Sequence, residues 1–212
     1  MRRLAEDSAE TSRIMLGVLD AVERDRVQSQ RHLAAELGIA LGLANAYLRR
    51  CVKKGLVKVR QAPARRYAYY LTPRGFAEKS RLTVEYLSYS FGFFRQAKTD
   101  CSDLFRLAKS RGISNVLLIG HSDLAEIAAL CAMEQGIDIV GLVDSDADGA
   151  FIGSPVFKTI ESVEAAFDAV LITDVKNARA SSEAAIARFG MDRVLVPDLL
   201  RVHSRQQSGA AK

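Results

Sequence analysis

Ser29-Gln30-Arg31-His32-Leu33-Ala34-Ala35-Glu36-Leu37-Gly38-Ile39-Ala40-Leu41-Gly42-Leu43-Ala44-Asn45-Ala46-Tyr47-Leu48-Arg49-Arg50-Cys51-Val52-Lys53-Lys54-Gly55-Leu56-Val57-Lys58-Val59-Arg60 holds two helical patterns joined by a glycine turn, and then a strand. Ser29 can cap the first helix, which runs to Leu37 and buries Leu33, Ala34 and Leu37. Gly38 ends it, because the exit from a helix commonly needs a left-handed residue, which glycine adopts at least cost. The second helix spans about Leu41 to Lys54 and stops at Gly55. Two helices so closely joined have the helix-turn-helix form. Leu56 to Arg60 alternates apolar and basic side chains as a half-exposed strand does, and Tyr67 to Leu71 alternates again after Gln61 to Arg66. Together they predict a β-hairpin with a basic loop, a wing.

Upstream, Ile14, Leu16, Val18, Leu19 and Val22 give a helical stripe from about Thr11 to Arg24, with Thr11 or Ser12 as cap. Downstream, Thr72-Pro73 opens a helix that runs to about Lys98, threonine capping and proline at the first helical position. Phe76, Thr83, Leu87, Phe91 and Phe94 share one face of it, and Tyr86, Tyr89 and Phe93 widen that face. Packing within its own domain is the simple reading. So many aromatics exceed what a small winged-helix core covers, which favours a dimer or interdomain contact.

On the second helix of the pair, Ala44, Leu48, Cys51 and Val52 fall at inward spacing. Leu41, Gly42, Leu43, Asn45, Ala46, Arg49, Arg50 and Lys53 are left as candidates for contact with a DNA groove. Asn45 suits an adenine edge and Arg49 a guanine or phosphate, while Gly42 and Ala46 allow close approach. Arg60, Arg65 and Arg66 in the wing suit phosphate contacts. Taken alone, a basic helix face is most simply a solvated one; the preceding turn and following wing tip the reading toward DNA. Charge agrees: residues 1–98 hold 19 Lys and Arg against 9 Asp and Glu, whereas residues 99–212 hold 11 against 16. This asymmetry predicts that the first half meets a polyanion and the second does not.

From Asn115 the pattern becomes βαβ. It predicts a strand Val116–Ile119, a helix from about Ser122 to Glu134, a strand Ile137–Val143, a third strand Ala169–Thr173, a helix from about Asn177 to Phe189 and a fourth strand Arg193–Val196. The expected fold class is therefore α/β: an N-terminal winged helix-turn-helix over residues 1–98, then a small Rossmann-like parallel sheet domain over residues 99–212. Gly120-His121-Ser122-Asp123-Leu124-Ala125 lies where a glycine-rich loop cradles a pyrophosphate, with the first glycine alone in place. Asp144, at the end of the next strand, stands where an acid reaches a ribose hydroxyl. With Ser145, Asp146, Asp174 and Lys176, these residues are the candidate ligand contacts. Gly120-His121-Ser122 also imitates a nucleophile elbow, but Leu124 stands where the pattern needs glycine, and the later histidine, His203, lies in the tail. Asp146, Asp148 and Asp174 fit no metal-ligand spacing and are expected to be solvated. Catalytic residues are expected to be none.

The 212 residues suffice for one or two domains, and no apolar run reaches membrane-spanning length. A signal-type apolar segment does not follow Met1-Arg2-Arg3, so a cytoplasmic location is expected. Cys51, Cys101 and Cys131 are too scattered for a disulfide framework or zinc site and are expected as reduced thiols. The tail beyond Val202 is expected to be disordered.

Leu33-Ala34-Ala35-Glu36-Leu37-Gly38-Ile39-Ala40-Leu41-Gly42, Asn45, Lys54-Gly55-Leu56-Val57-Lys58, Tyr67 to Leu71 and Thr72-Pro73-Arg74-Gly75 resemble MarR-type winged-helix regulators associated with exopolysaccharide operons. That resemblance covers residues 11–98 and implies a homodimer bound to double-stranded operator DNA. Val140 to Asp146, Gly149 and Gly153 to Val156 resemble the CoA-binding-type Rossmann domains of Rex repressors and of nucleotide-sugar acyltransferases and dehydratases. It implies NAD(H) or a UDP-sugar as effector. Two other readings stay open: a ligand-free Rossmann domain used for dimerisation or partner binding, and a nucleotide-sugar-modifying enzyme.

Overall fold

The computed structural model describes residues 2–24, 29–62 and 66–200. The chain divides into two compact units, Met1–Phe91 and Gly92–Lys212.

The first unit holds α1 (Arg2–Glu23), α2 (Gln30–Glu36), α3 (Leu41–Lys53), the antiparallel pair β1 (Val57–Ala62) and β2 (Arg66–Leu71), and the start of α4 (Pro73–Ser110). Helix α1 begins well before the expected caps, because residues 2–10 contain neither proline nor glycine to break it. Thr11 and Ser12 are mid-helix instead: Thr11 Oγ1 accepts the Tyr47 hydroxyl at 3.1 Å, and the Ser12 hydroxyl donates to Glu85 at 3.5 Å. Ser29 Oγ does cap α2, accepting the His32 amide at 3.1 Å, and Gly38 turns the chain at φ +62°. Val18, Leu19, Leu33, Ala44, Leu48, Cys51, Leu56, Val57 and Leu82 form the core of this unit. Val52, expected with them, is 37% exposed. Ala44, Leu48 and Cys51 complete the i, i+4, i+7 ridge, and the next residue rotates out to its edge. The Thr72 hydroxyl donates to the Gly55 carbonyl at 2.7 Å and accepts the Gly75 amide at 3.0 Å, tying the end of α3 to the start of α4.

Helix α4 continues to Ser110, twelve residues past the expected end, because Cys101, Phe105 and Ala108 extend its apolar stripe into the core of the second unit. That unit adds β3 (Asn115–Ile119), α5 (Asp123–Gln135), β4 (Asp138–Val143), β5 (Ala150–Phe151), β6 (Ser154–Phe157), β7 (Ala169–Ile172), α6 (Ala178–Phe189) and β8 (Val194–Leu195). Strands lie in the order β5-β6-β4-β3-β7-β8, all parallel except β5. The β5–β6 hairpin was not expected; strands of two and four residues are too short for a periodic signal. Val116, Leu117, Leu118, Leu142 and all of β7 are fully buried, as strands covered on both faces must be. The chain winds from β3 to β4 and β6, then returns to the other side of β3 for β7 and β8. This is a Rossmann-like α/β sheet, whose order reverses between β3 and β7. No helix among the described residues is long and apolar enough to cross a membrane.

Candidate functional site

Burial of Ala44, Leu48 and Cys51 anchors α3 and turns its other side outward. Leu41 and Leu43 are each 40% exposed, and Gly42, Ala46, Arg49, Arg50 and Lys53 are exposed with them. A Cβ at Gly42 would meet nothing within 4 Å, so its backbone is open to close approach. Asn45 sits differently from its expected place on that face: it is half-buried, and its Oδ1 is buried without a hydrogen-bond partner among the described residues. Among the described residues no ion pair involves Arg49, Arg50 or Lys53. Two carboxylates of the unit are engaged elsewhere, Asp20 by Arg24 at 2.9 Å and Lys79 at 2.7 Å, and Glu78 by Arg81 at 2.9 Å. Among the described residues, the basic side chains on the exposed face of α3 therefore carry no ion-pair partner. Burial pushes the Cys51 thiol, on the inward side of this helix, up to about 11, despite nearby Lys54 and Arg50.

In the wing, Arg60 lies 5.9 Å over the Tyr70 ring, and Tyr70 pairs across the hairpin with Lys58. Lys58 and Tyr70 were not singled out from sequence, although strand alternation places Lys58 on the same face as Arg60. Arg66 opens β2, and Arg65 lies outside the described residues.

In the second unit the loops after β3, β4 and β7 meet at the carboxyl edge of the sheet. Gly120 has φ +100°, and a Cβ there would lie 2.4 Å from Asp174 Cα. The Thr173 hydroxyl donates to the Gly120 carbonyl at 2.6 Å, and the Ser122 hydroxyl to the Thr173 carbonyl at 2.6 Å. Ser122 Oγ also accepts the Ala125 amide at 3.4 Å as the cap of α5. The serine of the apparent nucleophile elbow is thus a structural tie. Asp144 accepts the amides of His121 at 2.7 Å, Asp146 at 2.8 Å and Ala147 at 3.2 Å. Burial alone would raise its carboxyl, but these amides and the His121 ring outweigh it and hold the group below the usual carboxylate range. Asp174 accepts the amides of Lys176 at 3.0 Å and Asn177 at 2.8 Å and the Ser181 hydroxyl at 2.8 Å, shaping the entry to α6.

Leu124, a candidate ligand contact, is wholly buried in the core, because the first turn of α5 points it at the sheet. His121 is exposed and meets Phe151 edge-on at 5.7 Å between ring centres. Asp123, Ser145, Asp146 and Lys176 are exposed, the Ser145 hydroxyl donating to Asp146 at 3.3 Å. Lys158, missed in the sequence, donates to the Ala147 carbonyl at 2.7 Å and pairs with Asp148 at 2.6 Å. Nothing in its sequence neighbourhood signals that role, which arises from the β4–β6 pairing. A bound pyrophosphate needs free amides and a positive field. Here the His121 amide goes to a carboxylate, Asp123 and Glu126 occupy the first turn of α5, and Gly120 is closed against Asp174. The loop does not fit the cradle that NAD(H) or a UDP-sugar would require.

A family model described as winged helix-turn-helix DNA-binding matches residues 11–58, which span α2, α3, most of α1 and the start of β1. The N-terminal unit carries a winged helix-turn-helix DNA-binding domain, and a Rossmann-like α/β domain follows it. No curated protein matches the chain. Among solved structures it is similar to one described as PigF with SAH, at 17% identity and a TM-score of 0.28. That match takes in 81% of this chain and 65% of the other, under two thirds of its length, and is too slight to bear on fold or ligand.

Proposed function

We propose that the chain is a sequence-specific transcriptional regulator rather than an enzyme, a homodimer that sets α3 into the major groove of operator DNA. The observation that carries this reading is the exposed basic face of α3, Arg49, Arg50 and Lys53, unpaired among the described residues, beside the open backbone at Gly42. Leu41, Leu43 and Ala46 supply apolar contact to base edges, and Arg60, Arg65 and Arg66 in the wing hold phosphates. The resemblance to regulators of exopolysaccharide operons points to polysaccharide genes as targets.

For the second domain the geometry favours the ligand-free reading. The His121 amide and the Asp144 and Asp174 carboxylates are taken up within its own loops, which supports a role in self-association or partner binding over the sensing of NAD(H) or a UDP-sugar. The first reading is tested by fluorescence anisotropy with duplex DNA over a salt series. A phosphate-bound interface gives log K falling linearly with log salt at a slope near −0.9 per contact; no binding at about 50 mM salt would refute it. Thermal unfolding with NADH, NAD and UDP-sugars tests the second: a saturable rise in Tm would restore the effector reading.

A further inference from the structure

The exposed face of α3 changes character along its length. Leu41, Gly42, Leu43 and Ala46 are exposed in its first half, and Arg49, Arg50 and Lys53 in its second. Every charge on the helix therefore comes after its second turn. Before that point Asn45 and Tyr47 alone carry hydrogen-bonding side chains. Tyr47 donates its hydroxyl to Thr11 Oγ1 of α1 at 3.1 Å. Asn45 turns its Oδ1 inward, where that atom is buried with no hydrogen-bond partner among the described residues. What Asn45 can offer a ligand is thus its amide N–H groups. A paired contact to adenine needs both ends of the amide, one accepting and one donating.

A recognition helix meets base edges with its N-terminal residues. In the major groove guanine shows two acceptors, cytosine a donor and adenine one of each. Thymine alone shows an apolar group, its C5-methyl, beside a carbonyl acceptor. Leucine and alanine set against a G·C edge strip water from polar atoms and return no hydrogen bond, which costs free energy. Against thymine they bury a methyl, and the carbonyl beside it can accept from an amide such as that of Asn45. The backbone between the two leucines is open, since a Cβ on Gly42 would meet nothing within 4 Å. The geometry points to a thymine-reading helix: Leu41, Leu43 and Ala46 select operator half-sites by the C5-methyl groups of thymine, while Arg49, Arg50 and Lys53 supply the attraction to the duplex. This assignment deepens the reading of the chain as a DNA-binding regulator and rests on it.

The test starts from duplexes that the full chain selects out of a randomised pool. Fluorescence anisotropy then compares a selected duplex with copies in which single thymines are replaced by deoxyuracil, which removes the methyl and keeps both the carbonyl and the base pairing. Expected are thymines shared by the selected sites and a roughly fourfold loss of affinity for each contacted methyl removed, the worth of one buried carbon. Thymines outside the shared positions should tolerate the change. The double variant Leu41→Ala/Leu43→Ala should narrow the thymine–uracil difference, whereas Lys53→Ala should bind both duplexes more weakly and keep it. Both leucines are exposed, so an unchanged melting temperature shows that the double variant is folded, and the uracil scan on the wild-type chain decides without it. Selected sites built on guanine or cytosine, or uracil changes without effect on the wild type, overturn the proposal and leave the regulator standing. A thymine–uracil difference that survives intact in the folded double variant overturns it as well. Failure to select or bind any duplex at about 50 mM salt removes both readings.

Discussion

The carboxylate of Asp144, at the end of β4, accepts the backbone N–H of His121, just past the end of β3, at 2.7 Å. Neighbouring parallel strands are thereby joined at their carboxyl ends, where open α/β sheets ordinarily receive ligands. The acid that sequence spacing assigned to a ribose hydroxyl is engaged by its own backbone, and the amide that would face a phosphate is engaged with it.

Asp144→Asn should therefore destabilise the second domain even in the absence of any ligand. Losing charge-assisted bonds to several amides costs about 1–3 kcal/mol. Because the folded carboxyl titrates below its ordinary value, its stabilisation is complete above about pH 4 and is lost as pH falls through the folded value. Urea unfolding at pH 7 should separate the variant from wild type, and the gap should shrink toward pH 3; an unchanged gap would count against the assigned role.

Two glycines should respond oppositely to alanine. At Gly120 the new methyl meets the Asp174 backbone at 2.4 Å with φ at +100°, so Gly120→Ala should lose about 2 kcal/mol or more. At Gly42 the space is open and the backbone helical, so Gly42→Ala should match or exceed wild-type stability by up to about 1 kcal/mol. If α3 lies close in a groove, the same Gly42→Ala should weaken DNA binding. Thermal unfolding and anisotropy measured together read both effects.

On α3, Arg49→Ala and Arg50→Ala should leave Tm nearly unchanged, since both side chains are exposed and unpaired among the described residues. Each should weaken DNA binding by about 1–3 kcal/mol if it meets a base edge. A uniform loss across sequences, with the salt slope reduced by about 1, would instead mark a phosphate contact. Substituting both without effect on affinity would place the DNA surface elsewhere.

Burial pushes the Cys51 and Cys101 thiols up, to about 11 and about 12. Thiolate is the reactive form. Neither should react with a disulfide reagent at pH 8 while the chain is folded, and both should react on unfolding; rapid native labelling confirmed by peptide mapping would contradict their placement in the cores.

Much was legible from sequence because it depends on neighbours a few residues apart. Ser29, Gly38 and the Leu33–Ala34 face specify α2 through local hydrogen bonding and backbone conformation, and Val116–Ile119 announces a doubly covered strand by being continuously apolar. The outward residues of α3 follow from helical spacing alone, except Val52 and Asn45 at the edges of the face, where a rotation of one residue decides between core and solvent. What the tertiary structure alone decided is what distant segments do to one another. The β5–β6 hairpin exists because β4 offers β6 a parallel edge, not because its short strands are strong. Likewise Gly120 and Asp174 meet only once β7 pairs with β3, and Asp144 and His121 only once β4 pairs with its other side. A motif reports which groups are available, and only the fold determines whether a ligand or the chain's own backbone satisfies them.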